Sequence, residues 1–394
     1  MLLLALLACA TGKNADDTAV AVDCSTRPLD LPGPRGEVGG AWDDTRKRLV
    51  IFGGDQGEPV ECSSQPDFVG ETWAWETDCG GFADLTTDEG PPPRGRFASV
   101  GDEGHLYIHG GRWRETGDTG RYTLYDDLWA FDYATDTWTL LAEEGPGKRS
   151  NHTLVVAGRR LLLFGGNDST NGASFSPLDD TWSFDLDAGT WEQLDTTGDP
   201  VARLFHAAAV TDDGRTMYVY GGGDEGAFTG PFFADLQALD LDTLAWSEVH
   251  GSRQAPDARI WANLAWHDSR LYLFGGHDDG ALGNTNQVWT YQPASDEWDE
   301  LLGGDVLAND AVGFCDFPAD FVEPDLASPE RRDANVGVMD PDGQLWIFGG
   351  KTDCGIINDV WSFSSSSETW TEQSPATSGE ICLRAYAECE TMCF

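Results

Sequence analysis

The chain has 394 residues, 68 Asp+Glu against 24 Lys+Arg, and a formal net charge of −44. That balance excludes nucleic-acid binding, which depends on clustered Lys and Arg facing phosphates, and it reads first as a solubility adaptation. A hydrophobic fraction of 40 % with 16 Trp excludes disorder, and the length suits two or three ordinary domains or one large repeat architecture.

In chain order, MLLLALLACA comes first, an apolar run too short to span a bilayer and suited to the core of a signal peptide. Leu6-Leu7-Ala8-Cys9 resembles the bacterial lipobox, in which cleavage precedes a cysteine that then carries lipid. Leu7 and the missing basic residues depart from that pattern, and a conventionally cleaved signal peptide is the other reading. Residues 1–9 are thus a leader and residues 10–31 a solvated tether and N-terminal arm. Setting aside Cys9 as the lipidation candidate leaves Cys24, Cys62, Cys79, Cys315, Cys354, Cys382, Cys389 and Cys393. Eight is an even number, as four disulfides in an exported protein require.

From residue 32 the chain repeats itself. Strand-like runs ending in Gly-Gly occur six times, at Gly53, Gly110, Gly165, Gly221, Gly275 and Gly349, with intervals of 57, 55, 56, 54 and 74 residues. Each is preceded by a run of small residues (VGGAW, FASVG, HTLVV, HAAAV, ANLAW, NVGVM) and followed by a loop and a strand bearing an aromatic. Another aromatic follows nine residues later in every repeat: Trp73/Phe82, Trp129/Trp138, Trp182/Trp191, Gln237/Trp246, Trp289/Trp298 and Trp361/Trp370, with Gln237 standing for the first aromatic once. Four antiparallel strands per unit follow, small at a crowded hub and large where neighbouring sheets diverge.

The Gly-Gly pair followed by two Trp at this period resembles the kelch repeat, over residues 32–375. The resemblance implies an all-β, six-bladed β-propeller, with Gln237 and Phe82 as departures. No swapped strand is evident to close the ring, so disulfides are expected to staple it. Cys62–Cys79 would lie within blade one, Cys315–Cys354 within blade six, and Cys24 would bond to a cysteine of the tail, residues 376–394.

A Pro-x-x-Arg precedes the first strand of every repeat and supplies Arg35, Arg94, Arg149, Arg203, Arg259 and Arg332, a quarter of the Lys+Arg complement at one position. By propeller geometry these arginines ring one mouth of the channel, on the face that carries the long loops. Adaptor proteins of the kelch type grip acidic peptides there, which implies a ligand-binding role for the six. The competing reading pairs each with the residue two before the strand-three aromatic: Glu71, Asp127, Asp180, Asp235, Gln287 and Asp359. Gln287 makes Arg259 the arginine expected to be most available.

No catalytic set, metal site or cofactor emerges. His152 and His206 recur three residues after Pro-x-x-Arg and read as packing residues, and Asp340-Pro-Asp342-Gly343 as a turn. The expectation is therefore a monomeric binding or scaffold module, exported to the bacterial cell envelope and touching membrane only through a lipid anchor. Its loop face would meet a protein or glycan ligand. The alternative is a carbohydrate-active enzyme resembling the sialic-acid epimerases of kelch type.

Overall fold

The computed structural model describes residues 24, 28–57, 65–172, 174–198, 200–227, 229–249, 251, 254–278, 283–305, 327–352 and 355–377, which contain strands and turns and no helix. Six antiparallel sheets form the blades. Blade one comprises Gly39–Asp43, Arg48–Phe52, Thr72–Glu76 and Gly81–Asp84. Blade four shows the same plan in Ala207–Val210, Thr216–Tyr220, Leu236–Asp240 and Ala245–Val249, paired in chain order. The small residues of each first strand, Ala207 and Ala209 among them, let six strands converge on one axis.

Aromatic locks hold blade to blade. The residue just before each Gly-Gly packs on the strand-four aromatic of the next blade. The pairs are Phe52–Trp138 (5.1 Å between ring centroids), His109–Trp191 (5.2 Å), Phe164–Trp246 (4.9 Å), Tyr220–Trp298 (5.5 Å), Phe274–Trp370 (5.0 Å) and, across the closure, Phe348–Phe82 (5.2 Å). Phe82 thus keeps the packing role of the Trp it replaces, and His109 occupies a position that is otherwise Phe or Tyr.

Backbone hydrogen bonds repeat with the same regularity. The second glycine of each pair donates its N–H to the carbonyl of the next blade's arginine: Gly54 to Arg94, Gly111 to Arg149, Gly166 to Arg203, Gly222 to Arg259, Gly276 to Arg332 and Gly350 to Arg35, at 2.9–3.0 Å. The last of these closes the ring with the bond used everywhere else. Lys351 reaching Glu37 at 2.8 Å and Trp42 stacked on Trp346 at 5.1 Å add to the closure.

The disulfide of the N-terminal arm differs from the expected pattern. Cys24 is bonded to Cys79, with Cα atoms 5.6 Å apart, so neither Cys62–Cys79 nor a bond from Cys24 to the tail forms. The physical reason is the path of the arm. Leu29–Asp30 pairs with Gly81–Asp84 as a fifth, outer strand of blade one, which brings Cys24 beside the turn that carries Cys79. Cys9, Cys62, Cys315, Cys354, Cys382, Cys389 and Cys393 lie outside the described residues.

Gly222 illustrates why the pair must be glycine. Its φ is +95°, and a Cβ there would lie 2.7 Å from the Leu204 carbonyl oxygen and 3.0 Å from the His206 Cβ. Gly158, in a hairpin turn at φ +63°, has open space around it. Gly158→Ala should therefore cost only the left-handed backbone term of about 1 kcal/mol, and Gly222→Ala at least about 2–3 kcal/mol, because backbone must move as well. Urea midpoints of the two variants check the difference.

Candidate functional site

The six arginines lie at the roots of the loop-bearing face, and each guanidinium turns back into its own blade. Nε donates to the carbonyl two residues earlier in all six, as in Arg149 to Gly147 at 3.2 Å. Nη1 donates to the carbonyl of the first glycine of the blade's own pair, from Arg35 to Gly53 (3.2 Å) through Arg332 to Gly349 (3.0 Å). The remaining donors meet the acids that the spacing suggests. Arg94–Asp127, Arg149–Asp180, Arg203–Asp235 and Arg332–Asp359 are two-pronged at 2.6–2.9 Å, and Arg35–Glu71 is single at 2.7 Å.

The acids are held from the other side by the strand-three aromatic. Trp73, Trp129, Trp182 and Trp361 donate their indole N–H to Glu71, Asp127, Asp180 and Asp359. Gln237 does the same to Asp235 with its amide at 2.7 Å, so the departure at that position preserves the donor. Burial works to raise Asp127, Asp180 and Asp235, but the guanidinium hydrogen bonds overcome it and leave all three below the usual carboxylate range.

All six arginines are between 0 and 2 % exposed. The expected availability of Arg259 is not met. It is 1 % exposed, and its Nη2 donates to Gln287 Oε1 at 2.8 Å. Removing the carboxylate does not open the site, because burial is set by the backbone joint on either side of the arginine.

Two residues beyond each arginine stands a second ring that residue type does not reveal: Glu37, Arg96, Asn151, Phe205, Trp261 and Ala334, all at φ between 49° and 60°. Their backbones chain around the mouth. Glu37 N–H donates to Ala334, Arg96 to Glu37, Asn151 to Arg96, Phe205 to Asn151 and Trp261 to Phe205, at 2.8–3.3 Å. Only a fixed offset from Pro-x-x-Arg signals this ring, since its side chains share no chemistry.

The second ring divides the mouth into two halves. On one side Glu37 receives Arg96 Nε (2.8 Å), Lys351 Nζ (2.8 Å) and Arg112 Nη2 (3.2 Å), three cations on one buried carboxylate from blades one, two and six. Burial acts to raise Glu37, yet the cations drive it well below the carboxylate range. On the other side Phe175, Phe205 and Trp261 pack together, with Phe205–Trp261 centroids 4.2 Å apart. Arg96 spans the halves, its guanidinium 5.3 Å from the Phe205 ring and 5.2 Å from Trp261. Beside it a blade-two hairpin, Arg112–Trp113 with Thr123–Leu124, carries Arg112 and Arg114 over Tyr122 at 4.1 and 4.4 Å.

Deeper in, His109 Nδ1 and His152 Nε2 share a hydrogen bond of 2.9 Å, and His206 Nε2 bonds Thr153 Oγ1 at 2.9 Å. Burial, then the charge of Arg149, lowers His109 to about 3, and burial, then Arg203, lowers His206 to about 3. Burial and the neighbouring His109 hold His152 well below the usual imidazole value. These rings are neutral packing elements. Among the described residues no group of three or more His, Cys, Asp or Glu is arranged to hold a metal ion.

Six four-stranded blades around an arginine-framed mouth define a propeller of the repeat type. Family comparison gives it a name. Residues 18–200 and 151–306 match the KLHDC2/KLHL20/DRC7 Kelch-repeats domain and residues 334–377 the Kelch motif, so the chain belongs to the kelch-repeat family. It is similar to Kelch domain-containing protein 10 of Rattus norvegicus and of Homo sapiens, each 26 % identical over 301 residues and 74 % of this chain. The match spans 67 % of the rat protein and 62 % of the human one, so the chain accounts for about two thirds of these relatives' length. Acyl-CoA-binding domain-containing protein 4 of Arabidopsis thaliana is 34 % identical over 152 residues, 38 % of this chain and 21 % of that protein.

Two expectations follow. Arg149→Ala should destabilise by about 2–4 kcal/mol, since it strands Asp180 and the carbonyls of Pro146, Gly147 and Gly165, and Arg149→Lys should recover little because an ammonium cannot fork. Thermal unfolding of both checks this. The histidines give a pH signature. Their folded values lie below the 6.5 of free imidazole, so below about pH 6.5 the unfolded chain takes protons that the fold refuses. Stability should fall with decreasing pH, by up to about 1.4 kcal/mol per pH unit per histidine. The slope of urea stability between about pH 6.5 and 5.5 reads this above the range in which most carboxylates titrate. His109→Phe, which restores the aromatic of the other blades, should make that slope shallower.

Proposed function

We propose that this kelch protein is a protein-interaction scaffold whose loop face grips a carboxylate-bearing segment of its partner. The observation that carries the reading is the concentration of Arg96, Arg112 and Lys351 on a single carboxylate, Glu37, in a chain of net charge −44. An acidic ligand that the outer surface repels meets a local excess of positive charge at this mouth. The aromatic half, Phe175, Phe205 and Trp261, adds apolar contact area beside those donors.

In this reading Arg35, Arg94, Arg149, Arg203, Arg259 and Arg332 serve binding as the frame that fixes the loop roots, and direct contact falls to the half-buried Arg114 and the exposed Arg121 above them. The protein would work at the cell envelope. The leader MLLLALLACA supports this, as does Cys24–Cys79, a bond suited to oxidising compartments, with Cys9 as the lipidation site.

The test is an array of acidic and neutral peptides probed with the full chain, the Arg114→Ala/Arg121→Ala variant and the six single Arg→Ala variants of the frame. Acidic peptides should be retained preferentially, lose at least tenfold in the double variant, and weaken steeply with salt. Retention of neutral peptides alone, or an unaffected double variant, overturns the reading.

A further inference from the structure

The first strand of each blade is paired on one side only, by the second strand. Its free edge faces the axis, and around that axis runs a cavity of about 740 Å³, within the range of small-molecule sites. Inner strands of four to five residues, at about 3.3 Å each, make it about 15 Å long and therefore about 8 Å across, the width of one ring system. The loop-side end tapers into the mouth, where Arg96 lies across from Glu37 to Phe205 and Trp261. The opposite end, on the face of tight turns, carries Asp44, Asp102 and Glu103 at its rim.

Three properties of the wall select a guest. Toward the turn face Trp42, Val100, Val156, Val210, Trp266 and Met339 are all lining residues, an apolar band contributed by all six blades. Toward the loop face His152 and His206 line the cavity, 5 and 6 % exposed, and the Nδ1 of each is buried with no hydrogen-bond partner, as is Nε1 of Trp266 in the band. Third, among the described residues no lysine or arginine lines this cavity, while acids stand at its turn-face rim. Anions are therefore disfavoured, in contrast to the mouth.

We propose that the central channel is a binding site for an uncharged, ring-bearing small molecule, one ring wide and two to three rings long, admitted from the turn face. Its apolar rings would lie in the Trp42–Val156–Val210–Trp266 band, with its inner end beside His152 and His206. This site is separate from the loop-face reading and stands without it.

The probe is N-phenyl-1-naphthylamine, an uncharged three-ring dye whose emission rises in apolar surroundings, against 8-anilino-1-naphthalenesulfonate, the same rings with an anionic group. The folded full chain should give saturable 1:1 enhancement with the uncharged dye and bind the sulfonate at least tenfold more weakly. Val210→Trp, which fills the band, should weaken the uncharged dye at least tenfold, while Arg114→Ala/Arg121→Ala leaves it unchanged. If Val210→Trp does not fold, Val156→Trp and the milder Val210→Ser are read in its place, each expected to weaken the dye. The proposal is overturned by a channel filled with water alone, which gives no saturable response. Equal binding of both dyes, or insensitivity to the folded band variants, overturns it as well.

Discussion

Everything in this propeller hangs on an arginine that serves two blades at once. Its backbone carbonyl receives the glycine N–H of the preceding blade, while its side chain closes on the first glycine carbonyl and the carboxylate of its own. A guanidinium suits the task because its planar fork serves two carbonyls and a two-oxygen acceptor from one fixed plane. Burying six cations is costly in isolation, and the cost is offset because each meets oxygen on every side. The acid is fixed in turn by the indole or amide two residues on, so Pro-x-x-Arg, Gly-Gly and the strand-three aromatic are parts of one joint.

That joint was legible in the sequence because spacing alone defines it: the proline, the arginine and the glycines recur in register six times, and the acid five times. The choice between a ligand-gripping ring and a self-paired one was visible only as an alternative, since sequence gives the partner's type and not the burial. Arg259 shows the limit. The missing acid at Gln287 suggested an open cation, whereas the neighbouring backbone bonds bury it regardless.

Other features were illegible for distinct physical reasons. Cysteine parity speaks to the number of bridges but not to partners, and the partner of Cys24 follows from a two-residue edge strand too short to leave a pattern. The second ring leaves no mark in residue type because Glu37, Arg96, Asn151, Phe205, Trp261 and Ala334 share a backbone conformation and no chemistry. Glu37 and its cations come from residues up to 314 positions apart, a proximity that only closure of the ring creates.

A closed ring of like joints behaves as a chain under tension. It is as strong as its weakest link, and the links are not equal. Five arginines clasp a carboxylate, while in blade five Arg259 leans on the neutral amide of Gln287. Blade five is also followed by the longest of the five intervals between Gly-Gly pairs. The wheel is therefore nearly six-fold in backbone and five-fold in charge: one sector carries its buried cation without a matching anion at the repeated position.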